Sequence, residues 1–181
     1  MTSLTSDAAG AGILSTARLD LPALSEADVA ALIDGVRRPD WAPDFPQPMD
    51  LDAALTVFRE GLAAGPGPGY RLLRERRSGQ VIGSAGFAGL PAAGAVELRF
   101  CVAPSRRGRG FAGEAVAALV REALAAPGID IINAYADTAN VASRALLRSA
   151  GFRPAPAPAG TAGYELRAGQ LPPASRAADA K

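Results

Sequence analysis

The segment from residue 95 to residue 137 constrains the fold of this chain more than any other. It holds the most strand-like run, "VELRFCVAP", then a loop rich in arginine and glycine, then "GEAVAALVREALAA" and a second strand-like run, "IDIINAYAD". The stretch "GEAVAALVREALAA" places its apolar residues at helical spacing, which predicts an amphipathic helix. Two strands connected through a helix usually lie parallel, because the crossover returns the chain to the same end of the sheet. We therefore expect one parallel strand pair.

The remaining runs predict further strands and helices with short connections. Alternating leucines suggest a first strand, and Ser25 and Asp50 are expected to cap the first two helices. "YRLLRER" and "GQVIGSAGFAGL" predict a hairpin with a Ser-Gly turn, and Gly151 closes the last helix. "RPAPAPAGTAG" is expected to be a flexible link before a last strand, "YELRA". The order β-α-α-β-β-β-α-β-α-β predicts a mixed α+β fold.

The domain organisation follows from this order. We expect a mostly antiparallel central sheet of six to seven strands flanked by about four helices, all within a single domain over residues 14–168. The small polar residues at the start predict a flexible lead over 1–13, and residues 169–181 predict a disordered tail.

Composition excludes several classes of protein. There is no histidine, which excludes a Ser-His-Asp hydrolase and a zinc site with histidine ligands, and we expect no metal. The only cysteine, Cys101, cannot form a disulfide within the chain, which fits a reducing cytoplasm. The net charge of +1 argues against a nucleic-acid partner. No apolar run reaches the roughly 18 residues that a membrane span needs, and the first residues lack the pattern of a signal peptide.

Two glycine motifs overlap in the loop. Gly108, Gly110 and Gly113 form the G-x-G-x-x-G pattern of dinucleotide-binding proteins, whereas Arg107, Gly110 and Ala112 form R-x-x-G-x-A. The dinucleotide interpretation is disfavoured, since residues 104–107 separate the strand from the glycines and an antiparallel hairpin precedes them. The arginines favour a ligand with a pyrophosphate and a further phosphate, as in coenzyme A.

Beyond the loop, "VAPSRRGRGFAGEAVAALV" followed by "NVASRALLRSAGF" resembles the GNAT superfamily of acyl-CoA-dependent N-acetyltransferases. Within it, the chain is similar to the branch of ribosomal-protein N-terminal acetyltransferases. The resemblance implies a sheet that splays between the strands at 95–103 and 129–136, with acetyl-CoA in the splay. It places the pyrophosphate on the N–H groups of residues 107–112 and the pantetheine arm beside residues 100–102. The cofactor-binding residues that it implies are Phe100, Cys101, Val102, Arg107, Gly108, Arg109, Gly110, Phe111, Ala112, Asn140 and Ser143.

The implied reaction is direct attack of an amine on the thioester in a ternary complex, for which the chain offers two candidate catalytic residues. Glu97 is placed to take the ammonium proton, although a strand carboxylate can equally pair with Arg99. Many relatives place a tyrosine acid seven residues after the asparagine, where this chain has Leu147, and that acid is therefore excluded. Ser143 is the replacement that we expect, although a serine in a first helical turn also bonds its own backbone.

The acceptor side is less defined by the sequence. Trp41, Asp44 and Phe45 lie in a proline-rich loop that would sit over the acceptor, or that simply covers the sheet. Tyr135 is expected to line the cleft as a substrate contact or to belong to the core. Cys101 is disfavoured as an acyl-carrying nucleophile because no histidine is available to activate it.

The sequence thus predicts a cytoplasmic N-acetyltransferase that moves an acetyl group from acetyl-CoA to a primary amine. The acceptor is a protein or peptide N-terminus or a small-molecule amine, and the protein is a monomer or homodimer without a nucleic-acid or membrane partner. The alternative is a non-catalytic module that binds acyl-CoA.

Overall fold

The computed structural model describes residues 12–61 and 68–170, which form one sheet and four α-helices. The predicted lead and tail therefore fall mostly outside the described residues. The strands are β1 (Leu14–Ser15), β2 (Leu19–Leu21), β3 (Tyr70–Glu75), β4 (Val81–Ala92), β5 (Ala95–Val102), β6 (Ile131–Asp137), β7 (Arg153–Ala155) and β8 (Thr161–Arg167). The helices are α1 (Glu26–Ile33), α2 (Pro48–Arg59), α3 (Phe111–Ala125) and α4 (Val141–Ser149), and a 3-10 turn over Pro104–Arg106 precedes α3.

Capping side chains explain where the first two helices begin. Ser25 caps α1 as predicted, because its hydroxyl accepts the N–H of Asp28 at 3.2 Å while the Asp28 carboxylate accepts the N–H of Ser25 at 3.0 Å. The prediction that Asp50 caps α2 is wrong. The cap is Gln47, whose N–H donates to Asp50 Oδ2 at 2.7 Å. Pro48 fits the first helical position, where no N–H is needed, so the helix begins before Asp50.

The strand order in the sheet is β1-β2-β3-β4-β5-β6-β8-β7. Every neighbouring pair is antiparallel except β5 and β6, which are parallel and joined through α3 as predicted. The sheet has eight strands in the described residues rather than six to seven, because β1 and β7 are too short to show an alternating pattern. β7 corrects the prediction of a flexible link, since Arg153 pairs with Glu165 and Ala155 with Gly163. Its proline is tolerated because β7 is an edge strand.

Helices cover both faces of the sheet. On β4, Ser84 bonds Asp50 of α2, and Ser84 lies opposite Leu72 on β3. The neighbouring side chain on β3, Arg71, therefore points to the other face, where it forms an ion pair with Glu122 of α3 at 2.7 Å. The two helices thus lie on opposite faces, and β5 runs between them.

Candidate functional site

The parallel strands β5 and β6 part half-way along their length. They are paired from Ala95 opposite Ile131 to Leu98 opposite Ala134. Beyond that point, residues 135–137 of β6 pair with β8, and residues 99–102 of β5 pair with β4. A wedge-shaped cleft therefore opens at the carboxyl ends of these two strands, which is where ligands bind in sheets with parallel strands.

The edge of β5 that faces this cleft carries backbone groups without a strand partner. Ala103 N–H donates to Ile82 O at 2.8 Å, so alternation turns the backbone groups of Arg99 and Cys101 toward β4. The backbone groups of Phe100 and Val102 then point to the side of β6. Among the described residues, only Arg107 reaches them, through its Nε on Val102 O at 2.9 Å. An extended amide-containing ligand can pair with this edge as an added strand does.

The loop between β5 and α3 has the geometry of an anion site. Gly108 and Gly110 have φ of 72° and 79°, which glycine adopts without strain. Arg107 N–H donates to Pro104 O at 3.2 Å, and Glu114 N–H donates to Gly110 O at 3.1 Å. Between them, the N–H groups of residues 108–113 have no acceptor within the described part of the chain. This run begins one residue later than the range of 107–112 that the family resemblance implies.

The three arginines of the loop differ in what they contact. Arg106 donates to Gln80 Oε1 at 2.8 Å and lies 3.4 Å from a Glu75 carboxylate oxygen. Arg107 bonds Val102 O, as noted above. Of the three, Arg109 alone has a guanidinium with no hydrogen bond or ion pair to the described part of the chain. Arg109 is therefore the arginine of the loop most available to a phosphate group.

A fourth arginine, which the sequence did not single out, also reaches this loop. Arg18, just before β2, donates from Nη1 to Arg109 O at 2.8 Å and from Nε to Glu114 Oε2 at 2.7 Å. Its Cζ lies 4.7 Å from the centre of the Phe111 ring. No local sequence signal links Arg18 to Arg109, which is 91 positions away in the chain.

The start of α4 lies at the same edge of the sheet, because it follows β6 as the loop follows β5. Asn140 is the N-cap, and its Oδ1 accepts Ser143 N–H at 3.0 Å. The Ser143 hydroxyl has no hydrogen-bond partner among the described residues, so the local backbone bond considered from the sequence is not formed. Leu147, the position of the absent tyrosine, is fully buried.

One face of β5 carries the polar side chains of the cleft. Glu97, Arg99 and Cys101 share the face of Ser84, beside α2. Glu97 Oε1 accepts Arg99 Nε at 2.7 Å, so the ion pair considered from the sequence is formed. Because Glu97 lies opposite Asn133 on β6, Tyr135 shares this face, and its side chain is exposed.

A buried polar cluster lies beneath these residues. Asp50 receives hydrogen bonds from the Ser84 hydroxyl and the Gln47 N–H. Burial raises the pKa of Asp50 to about 6, although those bonds and the charge of Arg107 oppose the shift. Tyr70 lies over Gly86, where a Cβ would come within 3.1 Å of its Cγ, and its hydroxyl is buried without a partner within the described chain. Sequence inspection missed this cluster, since its members come from separate elements.

Burial also decides the state of Cys101. It raises the pKa of the thiol to about 11, with a further contribution from the negative charge of Asp50. The thiol therefore stays protonated near neutral pH and is a poor nucleophile.

The structure distinguishes the two interpretations of the proline-rich loop that the sequence left open. Trp41 and Phe45 are buried in the core with their rings 5.1 Å apart, so neither ring offers a surface to an acceptor. The structure thus supports the interpretation that they cover the sheet. Asp44 accepts hydrogen bonds from Ser105 N–H at 2.7 Å and Ser105 Oγ at 2.8 Å, which links this loop to the glycine loop.

Comparison with known families decides what this fold is. The family profile described as "Acetyltransferase (GNAT) domain" matches residues 18–153. This chain belongs to the GNAT acetyltransferase family. Members of this family use acetyl-CoA as the acetyl donor. A search of curated protein sequences gives no match.

Solved structures agree with this assignment. An acetyltransferase from Agrobacterium tumefaciens is 28% identical with a TM-score of 0.65, over 87% of this chain and 95% of that one. A protein described as a GNAT-family acetyltransferase from Bordetella pertussis is 26% identical with a TM-score of 0.63, over 86% and 98%. RimL, a ribosomal L7/L12 α-N-protein acetyltransferase solved with coenzyme A, is 20% identical with a TM-score of 0.63, over 86% and 98%. At this identity, RimL shows a shared fold alone.

The residues of this GNAT domain fit acetyl-CoA. A Cβ added at Gly108 or Gly113 would meet no atom within 4 Å, so the loop faces open space. The unpartnered N–H groups of residues 108–113 suit a pyrophosphate, and the free edge of β5 suits the amides of pantetheine. The described residues contain no group of three or more carboxylates or cysteines arranged to hold a metal ion. No helix among them is both long enough and apolar enough to span a bilayer.

Proposed function

We propose that the protein transfers the acetyl group of acetyl-CoA to a primary amine by direct attack in a ternary complex. The observation that supports this best is the parting of β5 and β6 beside the unpartnered N–H groups of residues 108–113. A ligand that carries both a pyrophosphate and an extended amide arm complements these two features together. The R-x-x-G-x-A motif, rather than the overlapping dinucleotide motif, is thus the functional one.

In this proposal Glu97 is the base. Acetyl-CoA supplies the thioester, and the amine nitrogen bonds the acetyl carbon while the carbon–sulfur bond breaks. Because most amines are protonated near neutral pH, a proton must first leave the ammonium group. Glu97 accepts it, directly or through a water molecule, while Arg99 on Oε1 holds the carboxylate in place. Its other oxygen, Oε2, has no partner within the described residues.

Ser143 serves the leaving group. Its hydroxyl is unpartnered within the described chain and lies in the first turn of α4, at the edge of the cleft. We assign it the donation of a proton to the sulfur, in place of the tyrosine that Leu147 replaces. The proton that the nitrogen loses as it becomes an amide then restores the hydroxyl. Asn140 fixes the start of α4 and so holds Ser143 at this edge.

The acceptor is a peptide N-terminus or a small-molecule amine. Among structural neighbours, RimL is described as an acetyltransferase of ribosomal L7/L12, and a chimera based on a Vibrio cholerae enzyme as a spermidine acetyltransferase. Both classes therefore belong in a substrate panel, and Tyr135 is the proposed contact on the acceptor side. We also propose a cytoplasmic location, which the single cysteine supports.

The proposal is tested by the rate of coenzyme A thiol release over a panel of peptides and amines, for wild type, Glu97→Gln and Ser143→Ala. We expect Glu97→Gln to lower kcat/KM for the amine by about 100- to 1,000-fold near neutral pH. The deficit should shrink as pH rises, because the free amine becomes abundant. Ser143→Ala should lower kcat/KM by a smaller factor, since a thiolate is a tolerable leaving group near its own pKa.

Three results would contradict parts of this scheme. Wild-type rates for Glu97→Gln across the pH range would remove Glu97 from catalysis. A deficit that stays constant at high pH would make it a binding residue instead of a base. Acetyl-CoA binding without amine-dependent thiol release would favour the non-catalytic module.

A further inference from the structure

Arg18 joins the glycine loop to the segment that precedes β2. It lies just before β2, outside the loop, yet its side chain contacts three features of the loop and the helix that follows: the Arg109 carbonyl at 2.8 Å, the Glu114 carboxylate at 2.7 Å and the Phe111 ring at 4.7 Å. The Arg18 N–H also donates to Glu114 Oε1 at 2.7 Å. One contact is to the loop itself, and the other three are to the first turn of α3, which continues from it.

The bond to the Arg109 carbonyl controls the direction of an N–H group. The peptide between Arg109 and Gly110 is planar and trans, so its C=O and N–H point in opposite directions. By holding the carbonyl on one side, Arg18 directs Gly110 N–H to the other side, with the run of unpartnered N–H groups. Gly110 is the N-cap of α3 and, as a glycine, is flexible without such a contact.

The pairing with Glu114 removes an unfavourable charge. Glu114 lies in the first turn of α3, beside the proposed phosphate site. A free carboxylate there would repel a pyrophosphate. The Glu114 carboxylate instead forms an ion pair with Arg18 and accepts a hydrogen bond from the Thr16 hydroxyl at 2.5 Å. Although burial alone would raise the pKa of Glu114, these bonds outweigh it and lower the pKa.

Gly110 leaves the space that this arrangement needs. A Cβ at Gly110 would lie 3.3 Å from Arg18 Nη2, and φ of 79° already disfavours a side chain. Nη2 has no hydrogen-bond partner within the described residues, and the Arg18 side chain is 48% exposed.

We propose that Arg18 is a positioning residue of the cofactor site, which fixes the loop so that its N–H groups bind the pyrophosphate of coenzyme A. This inference rests on the proposed function, since it assumes that the loop binds coenzyme A. Its chemistry is that of a guanidinium fork, because one planar group bonds the Arg109 carbonyl and the Glu114 carboxylate at once.

The test is calorimetric titration of coenzyme A and of dephospho-coenzyme A into wild type, Arg18→Ala and Arg18→Lys. The matched control is Arg74→Ala. Arg74 also combines an ion pair, with Asp40 at 2.7 Å, and a bond to a backbone carbonyl, that of Gly79 at 2.8 Å, and neither partner belongs to the glycine loop. We expect Arg18→Ala to raise Kd by about 10- to 100-fold for both ligands, as for loss of a charged hydrogen bond. Arg18→Lys should show most of the same increase in Kd. Arg74→Ala should bind both ligands as wild type does.

Kinetics add a readout that general destabilisation would not produce. At saturating acetyl-CoA, kcat and the KM for the amine should match wild type, while the KM for acetyl-CoA rises for Arg18→Ala. Should Arg18→Ala not fold, Arg18→Lys carries the same comparison.

Each alternative outcome has a distinct meaning. If wild type binds no coenzyme A, both the cofactor assignment and this inference are overturned. If wild type binds and both Arg18 variants bind equally well, only the role of Arg18 is overturned. Full recovery by lysine would show that charge suffices, and a loss confined to coenzyme A would assign Arg18 to the 3′-phosphate. Both results would contradict positioning of the pyrophosphate loop.

Discussion

At the scale of single residues, Asp50 is the clearest case of burial changing chemistry. It lies in the first turn of α2 with its side chain buried against Ser84 of β4, and burial raises its pKa to about 6. The folded state therefore binds this proton more tightly than the unfolded chain, in which the pKa is about 3.8. The stability that this provides is present below pH 3.8 and is lost as the pH rises through about 6.

We therefore predict that Asp50→Asn changes how stability depends on pH. Between about pH 4 and pH 7, this one group should lower the wild-type free energy of unfolding by about 2 to 3 kcal/mol. Asp50→Asn should lack that decline and be at least as stable as wild type at pH 7.5. Urea unfolding across this range measures it, with the exposed Asp52→Asn as control. Parallel profiles for wild type and Asp50→Asn would show that the carboxyl titrates normally.

At the scale of elements, the proline-rich loop and the 3-10 turn before α3 are joined by Asp44. The Arg37 guanidinium gathers the loop by donating to Phe45 O at 2.8 Å and Ala42 O at 2.9 Å. Asp44 then accepts two bonds from Ser105, and the backbone bond is the main cause of its lowered pKa. Because the folded pKa is lowered, this contribution is present above about pH 3.8 and is lost on acidification through the folded pKa.

We predict that Asp44→Ala lowers the free energy of unfolding by about 1 kcal/mol near neutral pH, as for loss of a capping carboxylate. Ser105→Ala should cost less, because its N–H still donates to Asp44. In the double variant the losses should not add, since both single changes break the same link. Denaturant unfolding of the three variants measures this, and strictly additive losses would show that the two residues act independently.

At the scale of the whole molecule, ligand binding should stabilise the fold, because the cofactor site draws on β5, the loop and the start of α4 together. At about 100 times its Kd, coenzyme A should add about 2.7 kcal/mol, and each kcal/mol should raise Tm by about 2 to 4 °C. NAD should have no effect. Differential scanning fluorimetry with both ligands makes this comparison, and a shift with NAD but not with coenzyme A would reverse the choice between the two overlapping glycine motifs.

Much of the fold was predictable because its signals are local. Alternating side chains marked β5 and β6, and helical spacing between them required a parallel crossover, which the structure confirms. Ser25 and Gly151 marked ends of helices through bonds within a few residues. Local signals failed where two of them competed. At the start of α2, a proline and an aspartate each mark a possible helix start, and Pro48 occupies the first turn, so Asp50 lies inside the helix instead of capping it.

The sequence by itself determined the order of most elements, the family and the loop that we propose binds a phosphate, since each depends on neighbouring residues. The family resemblance implied that β5 and β6 part, but only the tertiary structure decided that they do so after Leu98, that Trp41 and Phe45 are core residues, and that Asp50 is buried. It also brought Arg18 to Glu114, 96 positions away in the chain. Such contacts depend on strand order and register, which are settled by the packing of the whole sheet, and no short stretch of sequence specifies them.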